Sequence, residues 1–354
     1  MPALALLGLG VLAAPARAQI GGDLPTGIVQ ADGLDDAAKA SLEKYIQDRK
    51  DGLSKDADDE VQKAREALIE PLVRAGVRPS PAFRLAYAPA IEPVLRAQLQ
   101  DKVPDMRAIN ALVIAGQLGT QQGADLLQLG MRSKSVSVRY AAAAGLANTL
   151  VLARGDIPAI RPEAVEALAA SLERLIASEP DTKVLGALVR AAGEGLKIAR
   201  PPEVARISGE GACRGLMARK SMSAKTPMDD AESQALLACL AHLRDLAGGR
   251  LPTQPGDTTL KAAAQLSAQF LNQAGLVLQS NAMSSAVQRD AYGRLSEAAV
   301  ALVNVCGQRL DSAGFKAAPV ELGKKLRVGN ARADGEFLNE AKGVIDSVAR
   351  PPFK

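Results

Sequence analysis

The stretch that decides the fold is SVSVRYAAAAGLANTLV, residues 135–151. After an arginine and a tyrosine come four alanines, a glycine and a leucine, so a helix formed here would carry few bulky side chains. Alanine favours helix over most residues, and small side chains allow helix axes to approach to about 8–10 Å. The stretch therefore predicts a helix that neighbours pack closely on two sides.

Two other segments share this pattern. Arg107 and Lys183 each lie three residues after a proline and two after an aspartate. Each cation precedes a small-residue segment, AINALVIAGQLG (108–119) and VLGALVRAAGEG (184–195). The cations at 107, 139 and 183 are separated by 32 and 44 residues, and repeats of about this period are typical of helical solenoids.

These residues resemble the HEAT-repeat (armadillo-type) family over about residues 101–200. VRYAAAAGLA (138–147) is closest to the small-residue helix of that family, and Asp101, Pro104 and Arg107 match the turn before it. The resemblance implies an α-solenoid of antiparallel helix pairs, with the aspartate and the cation hydrogen-bonded along the stack. Ser133 and Ala177 occupy the aspartate position in the next two units, so the resemblance supports that ladder only in the first.

We therefore predict an all-α fold, an α-solenoid with extra helices at both ends; an alanine-rich helix in an ordinary bundle is the alternative. No segment shows the period-two alternation of a strand. We expect long helices over residues 258–278 and 284–310, and Pro89 and Pro93 should kink or split the helix that starts at Ser80-Pro81. The predicted divisions are a signal peptide (1–18), a flexible leader (19–33), an N-terminal helical cap (34–104), HEAT-like repeats (105–200) and a C-terminal helical region (201–350).

The N-terminal segment predicts export. ALALLGLGVLAA (3–14) is an apolar run of secretory length, and small residues at Ala16 and Ala18 predict cleavage after Ala18. No Lys or Arg precedes the run, and a buried N-terminal helix is the alternative. No later segment has the roughly 20 apolar residues of a membrane span. We expect a periplasmic or secreted protein.

Few residues suit catalysis. The only histidine, His242, lies at the edge of an apolar helical stripe and is expected to be half-buried. Asp56 to Glu60 resembles a calcium loop, but Val61 stands where such a loop needs glycine. We predict a structural role for Arg139, and we assign no catalytic residue, cofactor site or metal site.

Three cysteines, Cys213, Cys239 and Cys306, leave several alternatives open. Export permits a Cys213–Cys239 disulfide. The three thiols with His242 also have the composition of a structural zinc site, although their spacing is not that of a zinc finger. Buried free cysteines in apolar helices are the simplest interpretation.

The charge pattern bears on partners. The formal net charge is +4, and cations alternate with acids without a long single-sign block, so we expect no nucleic-acid binding. We predict a non-enzymatic, exported scaffold that binds an unknown protein partner through a long surface. Alternatives are a lyase-like or cofactor-handling protein on a solenoid, and a self-associating component of the envelope. The C-terminal region is either a run of degenerate repeats or a separate bundle.

Overall fold

The computed structural model describes residues 22–354; the predicted signal peptide lies outside them. Every regular element in this part of the chain is a helix. The first eight α-helices are α1 (Thr26–Val29), α2 (Asp36–Lys50), α3 (Asp58–Val73), α4 (Pro81–Ala97), α5 (Asp105–Leu118), α6 (Gln121–Gly130), α7 (Val136–Leu152) and α8 (Pro162–Ser178). The other seven are α9 (Thr182–Gly195), α10 (Pro202–Met217), α11 (Asp230–Ala247), α12 (Asp257–Gln279), α13 (Ala286–Leu310), α14 (Leu322–Val328) and α15 (Ala331–Val348). Two short 3₁₀ helices cover Asp51–Ser54 and Lys220–Ser223.

The helices form two layers. Layer one consists of α3, α5, α7, α9, α11, α13 and α14, each packed on the next. Layer two contains two packed runs, α2–α4–α6 and α8–α10–α12–α15. Short turns join most pairs across the layers, as in antiparallel helix hairpins. The fold is thus all-α and solenoid-like, as the repeat period predicted.

Contacts stay local along the chain. Within residues 22–354, extensive packing joins only α-helices that are at most three apart in chain order. A single apolar core runs through the stack from Leu24 to Phe353. The C-terminal region continues the two-layer alternation, because α11 packs on α9 and α10 packs on α8.

Most helix starts follow from local side chains. Ser80 Oγ accepts the Phe83 N–H at 3.0 Å, and Pro81 stands in the first turn, as predicted. Such caps satisfy backbone donors that the first helical turn leaves free. Side chains also cap the helices that follow Asp35, Thr120, Ser135, Asp181, Asp229, Ser285 and Asn330.

Residues 22–33, in the segment predicted to be a flexible leader, contact the helical stack. Leu24 and Val29 are buried in the core, and the Ser80 N–H donates to the Val29 carbonyl at 2.9 Å. Arg74 Nη1 donates to the Leu24 carbonyl at 3.0 Å. Two apolar side chains and these hydrogen bonds fix a segment whose composition alone is typical of a loop.

Of the kink or split predicted at Pro89 and Pro93, the split does not occur, because α4 is continuous from Pro81 to Ala97. Pro89 and Pro93 lack the N–H groups that would bond the carbonyls of residues 85 and 89. Leu85, Pro89 and Pro93 are all exposed. Water can therefore reach the two carbonyls, which reduces the penalty of the missing bonds.

Candidate functional site

An open apolar groove lies between α5 and α7, beside α9. Its volume is about 600 Å³. The less exposed lining residues come from two neighbouring layer-one helices: Ile109, Val113 and Gly116 from α5, and Ala141 and Gly145 from α7. The groove therefore belongs to the same small-residue helices that predicted the fold.

Glycine sets the depth of this groove. A Cβ atom at Gly116 would lie 2.8 Å from the Cα of Gly145, a distance that packed atoms do not tolerate. The two backbones consequently touch. Asn148 Nδ2 donates to the Gly116 carbonyl at 2.7 Å, which adds a direct bond between the helices.

The outward edge of α7 is apolar and exposed. Val136 is 43% exposed and Tyr140 is 44% exposed, and both line the groove together with the exposed Ala144. Met106 at the start of α5 is 43% exposed. Single exposed apolar residues are common, but a contiguous row of them beside a groove is typical of binding surfaces.

Polar groups occupy the rim. Gln117 extends from α5, Ser137 and Asn148 extend from α7, and Lys183 lies on α9. Tyr140 and Lys183 are the ionisable side chains of the lining, which contains no carboxylate, imidazole or thiol. A mainly apolar lining with a few polar groups is typical of binding sites.

Arg139, the residue before Tyr140 in α7, joins consecutive repeat units. Its Nε and Nη2 donate to both carboxylate oxygens of Glu179, at 3.0 and 2.9 Å. Its Nη1 donates to the Ser133 and Lys134 carbonyls. The Glu179 side chain is only 4% exposed, so this pair holds α7 to the turn between α8 and α9. The geometry agrees with the structural role predicted for Arg139.

The cations at positions 107 and 183 behave differently. Arg107 reaches back to the turn before α3, where Nη2 pairs with Asp56 at 2.5 Å and Nε donates to the Lys55 carbonyl. Lys183 takes part in no ion pair within residues 22–354. The turn cations therefore form no uniform ladder.

His242 is half-buried on α11, as predicted. Burial, reinforced by the nearby Lys197 cation, lowers the pKa of His242 below its ordinary value of 6.5. Its ring occupies space that a Cβ at Gly193 of α9 would need. The imidazole therefore serves to pack α11 on α9.

The three cysteines are buried and free. Burial raises the pKa of Cys239 and of Cys306 to about 12, and it raises that of Cys213 well above its ordinary value. The thiolate is the nucleophile and the metal ligand, so these side chains act as small apolar residues. Among residues 22–354, no group of three or more His, Cys, Asp or Glu side chains could hold a metal ion.

No helix in the described range is sufficiently long and apolar to span a bilayer.

Comparison with known proteins provides no assignment. No family model matches the chain, and no curated protein matches it. The chain is similar to a solved structure described as an engineered protein, with 13% identity, 92% of this chain and 98% of the other covered, and a TM-score of 0.31.

The sequence pattern does not predict the groove, although several lining residues belong to the stretch 135–151. The pattern that could have predicted the groove is that apolar side chains occur on every side of α7, which has Arg139 as its only charged residue. A helix apolar all round is ordinarily buried. In a two-layer stack one side of each helix faces outward, so such a helix must expose an apolar strip.

Proposed function

We propose that this protein is a non-enzymatic, exported scaffold built from HEAT-like repeats, and that it binds a peptide segment of a partner protein in the α5–α7 groove. The observation that supports the proposal is the exposed apolar strip of Val136, Tyr140 and Ala144 beside an open cavity of about 600 Å³. The backbone contact between Gly116 and Gly145 keeps the two walls in place.

The energetics favour a bound segment. Burying apolar surface stabilises a complex by about 25 cal/mol per Å², so covering Val136, Tyr140 and Met106 would offset part of the entropy lost on association. Repeat arrays present extended surfaces of this kind. Gln117, Ser137 and Asn148 on the rim provide polar groups that can orient the bound segment.

A selection experiment tests the binding site. Random twelve-residue peptides displayed on phage would be selected on the immobilised full chain. Binding of each fluorescein-labelled hit would then be measured by fluorescence polarisation with the wild type, Ala144→Gln and Ala170→Gln. Ala144 lines the groove, whereas Ala170 is an exposed alanine of α8 in the other layer.

We expect Ala144→Gln to weaken binding by about tenfold or more, because the longer side chain fills the groove. Ala170→Gln should bind as the wild type does. Peptides that bind Ala144→Gln equally well, or the absence of any selected peptide, would contradict the proposed site. A dimer in sedimentation equilibrium that dissociates in Ala144→Gln would instead assign the groove to self-association.

Export is tested separately. The intact mass of the chain, expressed with its own N-terminus in a secreting bacterium, should correspond to a protein that starts at Gln19. A chain that retains Ala3 to Ala14 would contradict the predicted cleavage while leaving the groove experiment unaffected.

A further inference from the structure

Charge is unevenly distributed over the helices that border the groove. α5, α7 and α9 together contain two acidic residues and four cationic residues. The acidic residues are Asp105 and Glu194, at opposite ends of this group of helices. Asp181, the N-cap residue directly before α9, adds a third carboxylate, so these segments contain a small excess of cations.

Both acids within the helices already have partners. Asp105 accepts a hydrogen bond from Ser135 Oγ at 2.5 Å. Glu194 pairs with Arg154 at 2.9 Å and with Lys197 at 2.8 Å. Neither carboxylate neutralises a cation on the groove side of α9.

Two of the four cations are also engaged. Arg107 pairs with Asp56, and Arg139 pairs with Glu179. That leaves Lys183 and Arg190, both exposed, for which residues 22–354 provide no ion-pair partner. Lys183 and Arg190 are therefore cations without an ion-pair partner, although the carboxylates of Asp105 and of Asp181, the N-cap of α9, also form only hydrogen bonds here.

These two cations share one face of α9. They are seven residues apart, which places them two turns and about 10 Å from each other along the helix. Gly186 lies between them, and a Cβ there would meet no atom within 4 Å. The strip from Lys183 to Arg190 is consequently open, and Lys183 also lines the groove.

We propose that the segment bound in the groove is acidic on one side and apolar on the other. This inference rests on the peptide-binding function proposed above. Apolar side chains contact Val136, Tyr140 and Ala144, while carboxylates contact Lys183 and Arg190. An extended chain advances about 3.3 Å per residue, so two carboxylates about three residues apart match the separation of the cations.

An anionic lipid is the other ligand with this chemistry. Its acyl chain would need enclosure, since small-molecule sites cover most of the surface of their ligand. The groove is open to solvent along α7, where Val136, Tyr140 and Ala144 are all exposed. A peptide, which keeps one side in water, fits an open groove better.

The test uses the phage-selected peptides whose binding is sensitive to Ala144→Gln. We expect them to be enriched in Asp and Glu next to apolar residues. Replacing those acids by Asn and Gln should weaken binding, and added salt should do the same because salt screens exposed charges. Sodium oleate, the lipid probe, should not displace them.

Charge reversal provides the matched comparison. Lys183→Glu and Arg190→Glu should each weaken binding by about fivefold or more, and the double variant should select peptides rich in Lys and Arg. Arg174→Glu makes the same charge change on an exposed site of α8 and should have no effect. Circular dichroism would show that all of these variants fold.

The possible failures are distinguishable. If groove-dependent peptides show no acidic excess and bind Lys183→Glu/Arg190→Glu as tightly as the wild type, the charge inference is wrong while the proposed function stands. If no peptide depends on Ala144, both are wrong. Displacement of the selected peptides by oleate would overturn the choice of a peptide in favour of an anionic lipid.

Discussion

Helices α7 and α8 are neighbours in the chain and both have 17 residues, yet their outward faces differ. The exposed positions of α8 include Glu163 and Arg174, with alanines between them. Those of α7 include Val136, Tyr140 and Ala144. The exposed face of α8 thus includes charged side chains, whereas that of α7 includes a row of apolar ones.

Position in the stack accounts for part of this difference. α7 packs between α5 and α9, and it also contacts α6. Three sides in contact explain its small residues, but packing does not require an apolar fourth side. α8 exposes Glu163 and Arg174, so the exposed apolar strip of α7 is consistent with the peptide ligand proposed above.

The largest expected effect concerns the bond that holds α7 to the turn after α8. Glu179→Gln should lower the free energy of unfolding by about 3 kcal/mol, because it leaves the largely buried Arg139 guanidinium without its counter-charge. Chemical denaturation measures this. Asp59→Asn, which breaks the exposed pair of Asp59 with Lys63, should leave the denaturation midpoint unchanged.

An equal effect of Glu179→Gln and Asp59→Asn would show that the Arg139–Glu179 pair adds nothing to the stacking of units. A double-mutant cycle that adds Arg139→Met and the double variant would then measure the coupling energy between the two side chains, because residues in contact show such a coupling.

The next prediction concerns the approach of α5 and α7. Gly116→Ala should destabilise the protein by about 2 kcal/mol, since its new methyl group would collide with the backbone of Gly145. Gly186→Ala, at an open position in the middle of α9, should stabilise it by about 0.5 kcal/mol through helix propensity. Thermal unfolding would separate the two, and a stabilising Gly116→Ala would refute the close contact.

A smaller effect is expected for the strip itself. Tyr140→Ser should change the free energy of unfolding by no more than about 0.5 kcal/mol, because exposed positions contribute little to folding. It should nevertheless abolish the binding of groove-dependent peptides. A loss of several kcal/mol would mean that the tyrosine is part of the core, and the functional interpretation of α7 would lose its basis.

The smallest expected effect concerns His242 on α11. Its pKa is lowered in the folded state, so its contribution to stability is complete above about pH 6.5. That contribution decreases as the pH falls toward the lower folded pKa. As the chain has one histidine, a single imidazole NMR resonance should titrate with a midpoint below 6.5. His242→Gln should flatten the dependence of stability on pH in this range, and a midpoint above 6.5 would contradict the burial.

The sequence predicted much of this architecture for reasons that can be stated. Caps, prolines and turns mark helix ends, so the helix predicted over residues 258–278 is observed as Asp257–Gln279. The spacing of Arg107, Arg139 and Lys183 along the chain predicted the stack of helices. The contacts of residues 22–33 could not be predicted from the sequence, because they involve Ser80 and Arg74, which lie about 50 residues away in the chain.

The groove could not be predicted in the same way. It requires knowing which side of α7 faces outward, and a helix apolar all round gives no periodic signal for that. The partners of Arg107 and Arg139 were likewise invisible, since Asp56 and Glu179 lie 51 and 40 residues away in the chain. Pairing at such distances depends on the stacking of units rather than on local pattern.

The most direct test of the account is photocrosslinking from the two compared helices. A benzoyl-phenylalanine would replace either Tyr140 on α7 or Glu166 on α8, and each full chain would be irradiated with the same fluorescein-labelled selected peptide. We predict a covalent adduct from position 140 and none from position 166. Adducts from position 166 alone, or equal yields from both, would contradict the assignment of the α5–α7 groove as the binding site.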